Sequence, residues 1–374
     1  ELIASTRAAG DLIGHLSAIS TVGWARLYQG RLHEAAQLFQ TGVAETAATG
    51  LQHFFADVFY QLGLGALEYE WNNLDAARSR LEQGLQLAES RPPADANSVL
   101  VGSMTLARVH QARRDAAGAL EILDRFAQVA QQRHFAAPLI VRGEAARARV
   151  RLMQGDIDAV WQWAATSGLT IDGELSYPLE QSYLTLARVL IIRQDSQAAL
   201  HLLARLRRDA ELKARFNSVI EVLALQALAL RAQGDKAAAR SALERALTLA
   251  EPEGYVRTFV DEGEAMRLLI ADCRLQLEKH HGHLKPYLET LLAAFPVTQP
   301  TLHETRRGML IEPLSERELE VLRLVADGLS NREITERLIV GLGTVKTHIN
   351  NLYRKLDVNS RTQALHRARE LGLL

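Results

Sequence analysis

Cysteine is nearly absent from this sequence. The 374 residues include a single one, Cys273, which excludes a disulfide framework or a cysteine-based metal site and favours a structural role for that residue. Long apolar runs are missing as well, since no stretch approaches about 18 consecutive apolar residues, the length that a membrane-spanning helix requires. Because no secretory signal is visible either, we expect a cytoplasmic protein that does not associate with membranes.

An excess of charge of one sign is also missing. The formal net charge is -1, from 43 Lys and Arg against 44 Asp and Glu. One short stretch departs from this balance, because residues 337–356 contain four basic residues and no acid. It lies within residues 314–374, which hold 10 basic against 8 acidic residues. A basic surface confined to one stretch predicts contact with a polyanion without showing in the total.

The first 250 residues show little strand pattern and instead repeat a helical one. Each repeat has a Gly, Asn or Asp turn followed by an Ala-rich stretch, as in "QGRLHEAAQLF" and "QGDKAAARSAL". Two helical segments in each period of about 40 residues predict an α-solenoid over residues 1–250, similar to tetratricopeptide repeats but longer than their usual 34 or so. Equivalent register positions, spaced 42, 42, 41, 39 and 40 residues apart, are Leu32, Leu74, Ala116, Ile157, Ser196 and Lys236. Three positions later, small residues should let adjacent helices approach closely: Ala35, Ala77, Ala119, Ala199 and Ala239.

The repeat pattern ends near residue 251. We expect residues 251–295 to form capping helices, with residues 278–295 as one last helix over the apolar end of the solenoid. Residues 296–313 contain three prolines and little helical periodicity, which is typical of a linker. Residues 314–374 then predict a compact unit of four helices.

Paired side chains mark the helix starts of this C-terminal unit. A serine followed three residues later by Glu or Gln is a capping box, in which each side chain bonds the other residue's backbone N–H. The pairs are Ser315 with Glu318, Ser330 with Glu333, and Ser360 with Gln363. The third helix has an apolar stripe at helical spacing, made of Val345, Ile349, Leu352 and Leu356. We expect it to pack on Leu319, Leu322, Val325, Ile334 and Leu338.

The opposite side of the third helix is polar and basic. Two helices joined by a short glycine-containing turn, the second of them exposed and basic, are typical of a helix-turn-helix that enters the major groove of DNA. Lys suits guanine and Asn suits adenine, whereas Arg354 and Lys355 suit phosphates. The residues expected to face outward are Lys346, Thr347, Asn350 and Arg354, and Asn331 and Arg332 could meet a phosphate at the start of the preceding helix.

Residues 314–374 resemble the DNA-binding domain of LuxR-type transcriptional regulators. The resemblance rests on "LSERE" at 314–318, "GLSNREI" at 328–334, "TVKTH" at 344–348 and "KLDV" at 355–358. It implies DNA contact through the third helix and dimer contact on DNA through the fourth. By position it implies base contacts by Lys346, Thr347 and Asn350, and phosphate contacts by Asn331, Thr344, Arg354 and Lys355. Gly341 departs from the family pattern, which often has a capping residue there, and Gly341 and Gly343 together predict a looser turn.

The stretch "GYVRTFVDEGEAM" after a helical-repeat array resembles MalT-like large ATP-dependent regulators. In that family a nucleotide-binding module lies upstream and the repeat domain receives the inducer. This chain contains no GxxxxGK[ST] motif, so we expect no enzyme activity and no cofactor here, with ATP binding only through an upstream module. Because the chain begins with Glu1, inside a predicted helix, we expect it to be a fragment. The fold expected is all-α, a tetratricopeptide-like α-solenoid followed by a four-helix LuxR-type helix-turn-helix domain.

These patterns favour a sequence-specific DNA-binding transcriptional regulator. Its expected partners are double-stranded DNA, an effector or regulatory protein at the solenoid, RNA polymerase, and a second copy of itself on DNA. One alternative is a protein-interaction scaffold whose terminal domain is a docking module, and another is an enzyme with its catalytic module upstream. DNA affinity that falls with salt would distinguish the regulator.

Other unusual side chains have more ordinary interpretations. His280, His281 and His283 do not share one helix face, so we expect no metal site there. We expect a cluster of four arginines to face solvent and form ion pairs within the solenoid, and not to bind an anionic ligand. We expect four aromatic residues to pack in the core and not to line a ligand groove. The arginines are Arg142, Arg147, Arg149 and Arg151, and the aromatic residues are Trp161, Trp163, Tyr177 and Tyr183.

Overall fold

The computed structural model describes residues 2–50, 55–90, 96–296, 315–338, 340–356, 358 and 360–370. They divide into two compact units, Glu1–Phe295 and Pro296–Leu374. Every regular element among the described residues is helical, which confirms the predicted all-α class. The predicted linker at 296–313 lies outside the described residues apart from Pro296. No helix in the described ranges is both long enough and apolar enough to cross a membrane.

The first unit consists of helices joined by tight turns, with single turns of 3-10 helix at Tyr177–Leu179, Glu251–Glu253 and Gly282–Leu284. Its α-helices are α1 (Leu2–Ala8), α2 (Leu12–Tyr28), α3 (Leu32–Ala48), α4 (Phe55–Glu70), α5 (Leu74–Glu89), α6 (Ala96–Ala112), α7 (Ala116–Gln132), α8 (Ala137–Met153), α9 (Ile157–Thr166), α10 (Glu180–Ile192), α11 (Ser196–Leu212), α12 (Phe216–Gln233), α13 (Lys236–Ala250), α14 (Arg257–Val260), α15 (Gly263–His280) and α16 (Lys285–Ala294).

The predicted repeat register is confirmed at every turn. All six register residues are the first residues of α3, α5, α7, α9, α11 and α13. In each turn one residue has the left-handed backbone that reverses the chain most tightly. Four of the turns then place an aspartate at the helix start, where its carboxylate accepts a backbone N–H of the first helical turn. The left-handed residues are Gly30, Asn72, Arg114, Gly155, Gln194 and Gly234.

Small residues lie where the repeats pack most closely. The five predicted alanines are fully buried, and the corresponding position of the fourth repeat is the buried Val160. A larger side chain at an alanine position would push neighbouring helices apart, because the core has no space to accept it.

The helical array is curved so strongly that its two ends are in contact. The even-numbered helices contact one another in sequence from α2 to α12, and α12 in turn contacts α2. At this closure a Cβ added to Gly30 would lie 3.1 Å from the Cβ of Phe216. The ring of Tyr28 lies 5.4 Å from that of Tyr177, centroid to centroid. The inner helices therefore form a closed ring around a central space.

Residues 255–262 lie within this ring and not at the end of the array, where the sequence predicts a cap. The N–H of Val256 donates to the carbonyl of Glu70 on α4, with N and O 3.0 Å apart. Phe259 and Val260 are buried. The segment predicted as one last helix also differs, because α15 ends at His280 and a 3-10 turn precedes α16. We call residues 255–262 the central segment.

The second unit contains α17 (Glu316–Ala326), α18 (Asn331–Leu338), α19 (Leu342–Leu356) and α20 (Arg361–Glu370). The predicted apolar stripe of α19 is buried and joins the first three helices into one core with α20. One predicted contact is wrong, because Leu319 is half-buried and is not among the described residues of this core, where Val321 packs instead. The stripe packs against Val321, Leu322, Val325, Ile334 and Leu338 from α17 and α18, and Ala364 and Ala368 from α20.

Candidate nucleic-acid interface

Capping boxes hold the two helices that support α19. The N–H of Ser315 donates to Glu318 Oε2 at 2.7 Å, and the N–H of Glu318 donates to Ser315 Oγ at 3.3 Å. Ser330 and Glu333 make the same exchange at 2.7 and 3.4 Å. Between the two helices Gly328 takes φ +88°, a conformation that other residues adopt only with strain. These local bonds fix where α17 and α18 begin, as the sequence predicts.

The face of α19 opposite the buried stripe carries the predicted DNA-reading residues. Lys346, Thr347 and Asn350 are all exposed there, at positions one to four residues apart that share one face of a helix. The Thr347 hydroxyl donates to the carbonyl of Gly343 at 2.9 Å, which leaves its oxygen lone pairs for an external donor. We call these three residues the polar strip. Arg354, predicted on the same face, has a side chain outside the described part of the chain.

The predicted phosphate-contacting residues differ from one another in exposure and in their partners. Thr344 is exposed two residues before Lys346, and Asn331 is half-buried at the first position of α18. Lys355 differs from both, because its Nζ lies 2.8 Å from Glu318 Oε2. Their side chains are only 14 % and 5 % exposed, respectively. The structure thus places Lys355 as a link between α19 and α17, apart from the polar strip.

The Glu318 carboxylate is held in its charged form. Its partial burial raises the pKa, but hydrogen bonds from Lys355 and from Ser315 outweigh burial and leave the pKa below its usual value. Lys346 has no such partner, since no carboxylate among the described residues of this unit pairs with it. The first turn of α19 also contains no acidic residue. The positive charge of Lys346 is therefore available to an external anion.

Gly341 immediately precedes α19. Its carbonyl accepts the N–H groups of Thr344 at 3.0 Å and Val345 at 3.2 Å, so the helix starts there without a side-chain cap. A Cβ at this position would find its nearest neighbour, Thr344 Oγ1, at 3.8 Å. The site therefore has room for the capping residue that this sequence lacks.

Two residues of the arginine cluster, Arg142 and Arg149, lie inside the ring. Arg147 pairs with Asp124 at 2.5 Å and Arg149 with Glu262 at 2.7 Å, which confirms the expected ion pairs within the solenoid. The expectation that these arginines face solvent is wrong for Arg149, which is buried because the central segment covers it. Arg142 lines a cavity inside the ring.

The prediction that the aromatic residues pack in the core is confirmed for Tyr183, which is buried. It is wrong for Trp161 and Tyr177, which are 45 % and 43 % exposed. Tyr177 lines the same cavity as Arg142, together with Trp24 and Tyr28. Sequence reasoning did not single out Trp24 and Tyr28. Their spacing of four on one helix was the only local signal, and it is equally typical of core residues.

Comparisons with known proteins agree on two regions. A family model described as the MalT-like TPR region matches residues 1–276. A second, described as bacterial regulatory proteins of the luxR family, matches residues 312–368.

Curated relatives extend across both regions. The HTH-type transcriptional regulator MalT of Klebsiella pneumoniae (strain 342) is 28% identical over 323 residues, 82% of this chain and 35% of its own length. The protein of the same description from Cronobacter sakazakii (strain ATCC BAA-894) is 27% identical over 322 residues, again 82% of this chain and 35% of its own. That from Yersinia pestis (strain Pestoides F) is 28% identical over 321 residues, 81% of this chain and 35% of its own. The chain thus spans about a third of the length of these relatives.

Proposed function

Because the chain belongs to the family of luxR-type regulators with a MalT-like TPR region, we propose that it is a sequence-specific DNA-binding transcriptional regulator. Its helical-repeat unit senses an effector or partner and controls the C-terminal helix-turn-helix. The observation that carries this function is the polar strip, which is exposed, basic and without a carboxylate partner among the described residues. A docking module is not favoured, because the terminal unit matches a family of regulatory proteins.

The polar strip reads bases in the major groove. Lys346 donates to guanine O6 and N7, and Asn350 pairs with the N6 and N7 edge of adenine. Thr347 accepts a hydrogen bond beside them, because its O–H already donates to the carbonyl of Gly343. Thr344, Asn331 and Arg354 contact the flanking phosphates and set the register of the helix on the duplex. Lys355, held by Glu318, contributes to phosphate binding only through its long-range charge.

Regulation acts as a shift between two populations. An effector that binds the ring more tightly in one conformation favours that conformation. The central segment supports this route, since it touches helices around the ring and leads directly into α15 and α16, the last elements before the second unit. On DNA the regulator acts in the cytoplasm as a dimer through α20 and contacts RNA polymerase. ATP, where the regulator uses it, binds in a module outside these residues, which contain no GxxxxGK[ST] motif.

Selection from a pool of random duplexes tests this function. We expect the wild-type chain to enrich a paired sequence motif, and Lys346→Ala to lose preference at one base position within each half. Lys279→Ala removes an exposed lysine from α15 in the first unit and serves as the control with an unchanged motif. Absence of any enriched motif at low salt would reject a sequence-specific regulator.

A further inference from the structure

The closed ring encloses a cavity of ≈ 290 Å³, which is close to the lower end of the range of about 300–1,000 Å³ typical of ligand pockets. It is lined by side chains from every inner helix, α2, α4, α6, α8, α10 and α12, and by the 3-10 turn that contains Tyr177. Because helices from both ends of the array contribute, the cavity exists only when the ring is closed. A ligand here would therefore bind one conformation of the array selectively.

One wall of the cavity is aromatic. The rings of Trp24 and Tyr28 lie 5.8 Å apart, and those of Tyr28 and Tyr177 lie 5.4 Å apart, edge to face. Trp24 Nε1 is buried and has no hydrogen-bond partner among the described residues. Burial raises the pKa of the Tyr28 hydroxyl, so this wall stays neutral. Such a surface accepts a flat apolar group.

The charged residues of the cavity are almost all neutralised within the protein. Glu180 is paired with Arg215 at 2.5 Å and Glu221 with Arg188 at 2.7 Å. Two arginines that line the cavity are also in ion pairs, Arg108 with Asp261 at 3.0 Å and Arg149 with Glu262 at 2.7 Å.

Arg142 is the exception. Its guanidinium donates to the neutral amide oxygen of Asn97 at 2.8 Å, and within the described ranges no carboxylate pairs with it. Burial lowers the pKa of Arg142 below its usual value, which reflects the cost of keeping an uncompensated charge there.

We propose that the cavity binds a small organic anion with a flat apolar body, whose acid group pairs with Arg142 and whose body packs on Trp24, Tyr28 and Tyr177. A carboxylate or a phosphate ester matches a guanidinium in two-pronged fashion. This deepens the proposed function, in which such a molecule is the effector. The cavity and the central segment share Arg108 and Arg149, so the ligand is sensed next to the segment that leads toward the second unit.

Calorimetric titration of the chain with matched small molecules tests this proposal without DNA. The probes are phenylacetate and phenyl phosphate, each compared with a neutral analogue, phenylacetamide or benzyl alcohol. We expect each anion to bind at least tenfold more tightly than its neutral analogue. Arg142→Gln should abolish that preference. Arg147→Gln, on the same helix but outside this cavity, should retain it.

Thermal unfolding separates a binding role from a structural one. Because Arg142→Gln removes an uncompensated charge, we expect its unfolding temperature to equal or exceed that of the wild-type chain. Tyr177→Ala provides a second variant and should weaken phenylacetate binding at least fivefold. Equal binding of anion and analogue, failure of both anions to bind at millimolar concentration, or an anion preference that survives Arg142→Gln would each overturn the proposal. Duplex selection by the same chain is independent of these results, so failure here is distinguishable from failure of the proposed function.

Discussion

The centre of the ring and the polar strip of α19 use positive charge in opposite ways. In the ring, Arg149 and Arg188 are buried and share the carboxylate of Glu262, at 2.7 and 2.6 Å. On α19, Lys346 is exposed and has no described carboxylate partner. A charge neutralised internally fixes how helices are arranged, whereas a charge left free is available to a partner. The pairing of a cation, more than its abundance, thus separates structure from binding.

Both kinds of cation occur on the same helix. Lys355 is nine residues beyond Lys346 and belongs to the paired kind, since it binds Glu318 between α19 and α17. Arg142 repeats the contrast in the first unit, where it is the charged side chain of the ring cavity that has no oppositely charged partner among the described residues. The following predictions break or sharpen this contrast, from the largest expected effect to the smallest.

Removing the shared carboxylate should destabilise the first unit most. Glu262→Ala leaves Arg149 and Arg188 buried without it, which costs about 3–5 kcal/mol in the free energy of unfolding. Urea unfolding measures the loss. Glu264→Ala, two residues later, removes an exposed pair with Arg267 and should unfold close to the wild-type midpoint. Similar losses in both variants would mean that burial of the pair is irrelevant.

A half-buried acid, Glu70, should destabilise the ring as pH rises. Burial raises the pKa of Glu70 to about 7, against the opposing effect of hydrogen bonding from Thr258. Because the folded state holds this proton more tightly than the unfolded state, stability falls between about pH 4.5 and 7 and stays reduced above. Glu70→Gln should therefore raise stability by about 1–3 kcal/mol near pH 8 and much less near pH 5.

The comparison for Glu70→Gln is of unfolding temperatures at the two pH values. The amide oxygen can still accept the N–H of Thr258, so the variant keeps that contact. A gain of the same size at both pH values would show that the Glu70 charge is not its source.

The two lysines of α19 should respond in opposite ways. Lys355→Ala removes the partner of a nearly buried carboxylate and should lower the stability of the second unit by about 1–2 kcal/mol. Lys346→Ala should leave the unfolding temperature unchanged, because nothing described in the protein depends on that charge. Differential scanning calorimetry of both variants checks this. A loss of stability in Lys346→Ala would remove the distinction between them.

A cap at the start of α19 should have the smallest effect. Gly341→Ser places a hydroxyl where it can accept a backbone N–H, and it should stabilise the second unit by about a few tenths of a kcal/mol. Gly341→Ala adds a Cβ without the hydroxyl and is the control. If alanine stabilises as much as serine, the gain comes from backbone restriction and not from capping.

Local patterns predict much of this fold. The six repeat turns were predictable because each carries residues suited to the left-handed position or the helix cap, as in Gly155 followed by Asp156. The apolar stripe of α19 was predictable from its spacing. Val321 faces the core where the spacing predicted Leu319, because spacing alone does not determine how the helix is rotated about its axis.

Contacts between distant residues were not predictable. The central segment bonds to Glu70 across 188 residues of sequence, and nothing near either partner signals the other. The cavity of Arg142 depends on ring closure, so its charge environment is set by helices that are far apart in the chain. The Lys355–Glu318 pair spans 37 residues, and the basic sequence around Lys355 favours a phosphate role instead.

The most direct test of the account is the affinity of the chain for its selected duplex, measured across a series of salt concentrations with the wild type and Lys346→Ala. We predict that the logarithm of the binding constant falls steeply and linearly with the logarithm of salt concentration, because basic residues release counterions from phosphates. Lys346→Ala should bind about 1–3 kcal/mol more weakly on the selected sequence, with little change on unrelated duplexes. Salt-independent binding, or equal affinity of the variant for the selected sequence, would contradict the assignment of the polar strip as the DNA-reading surface.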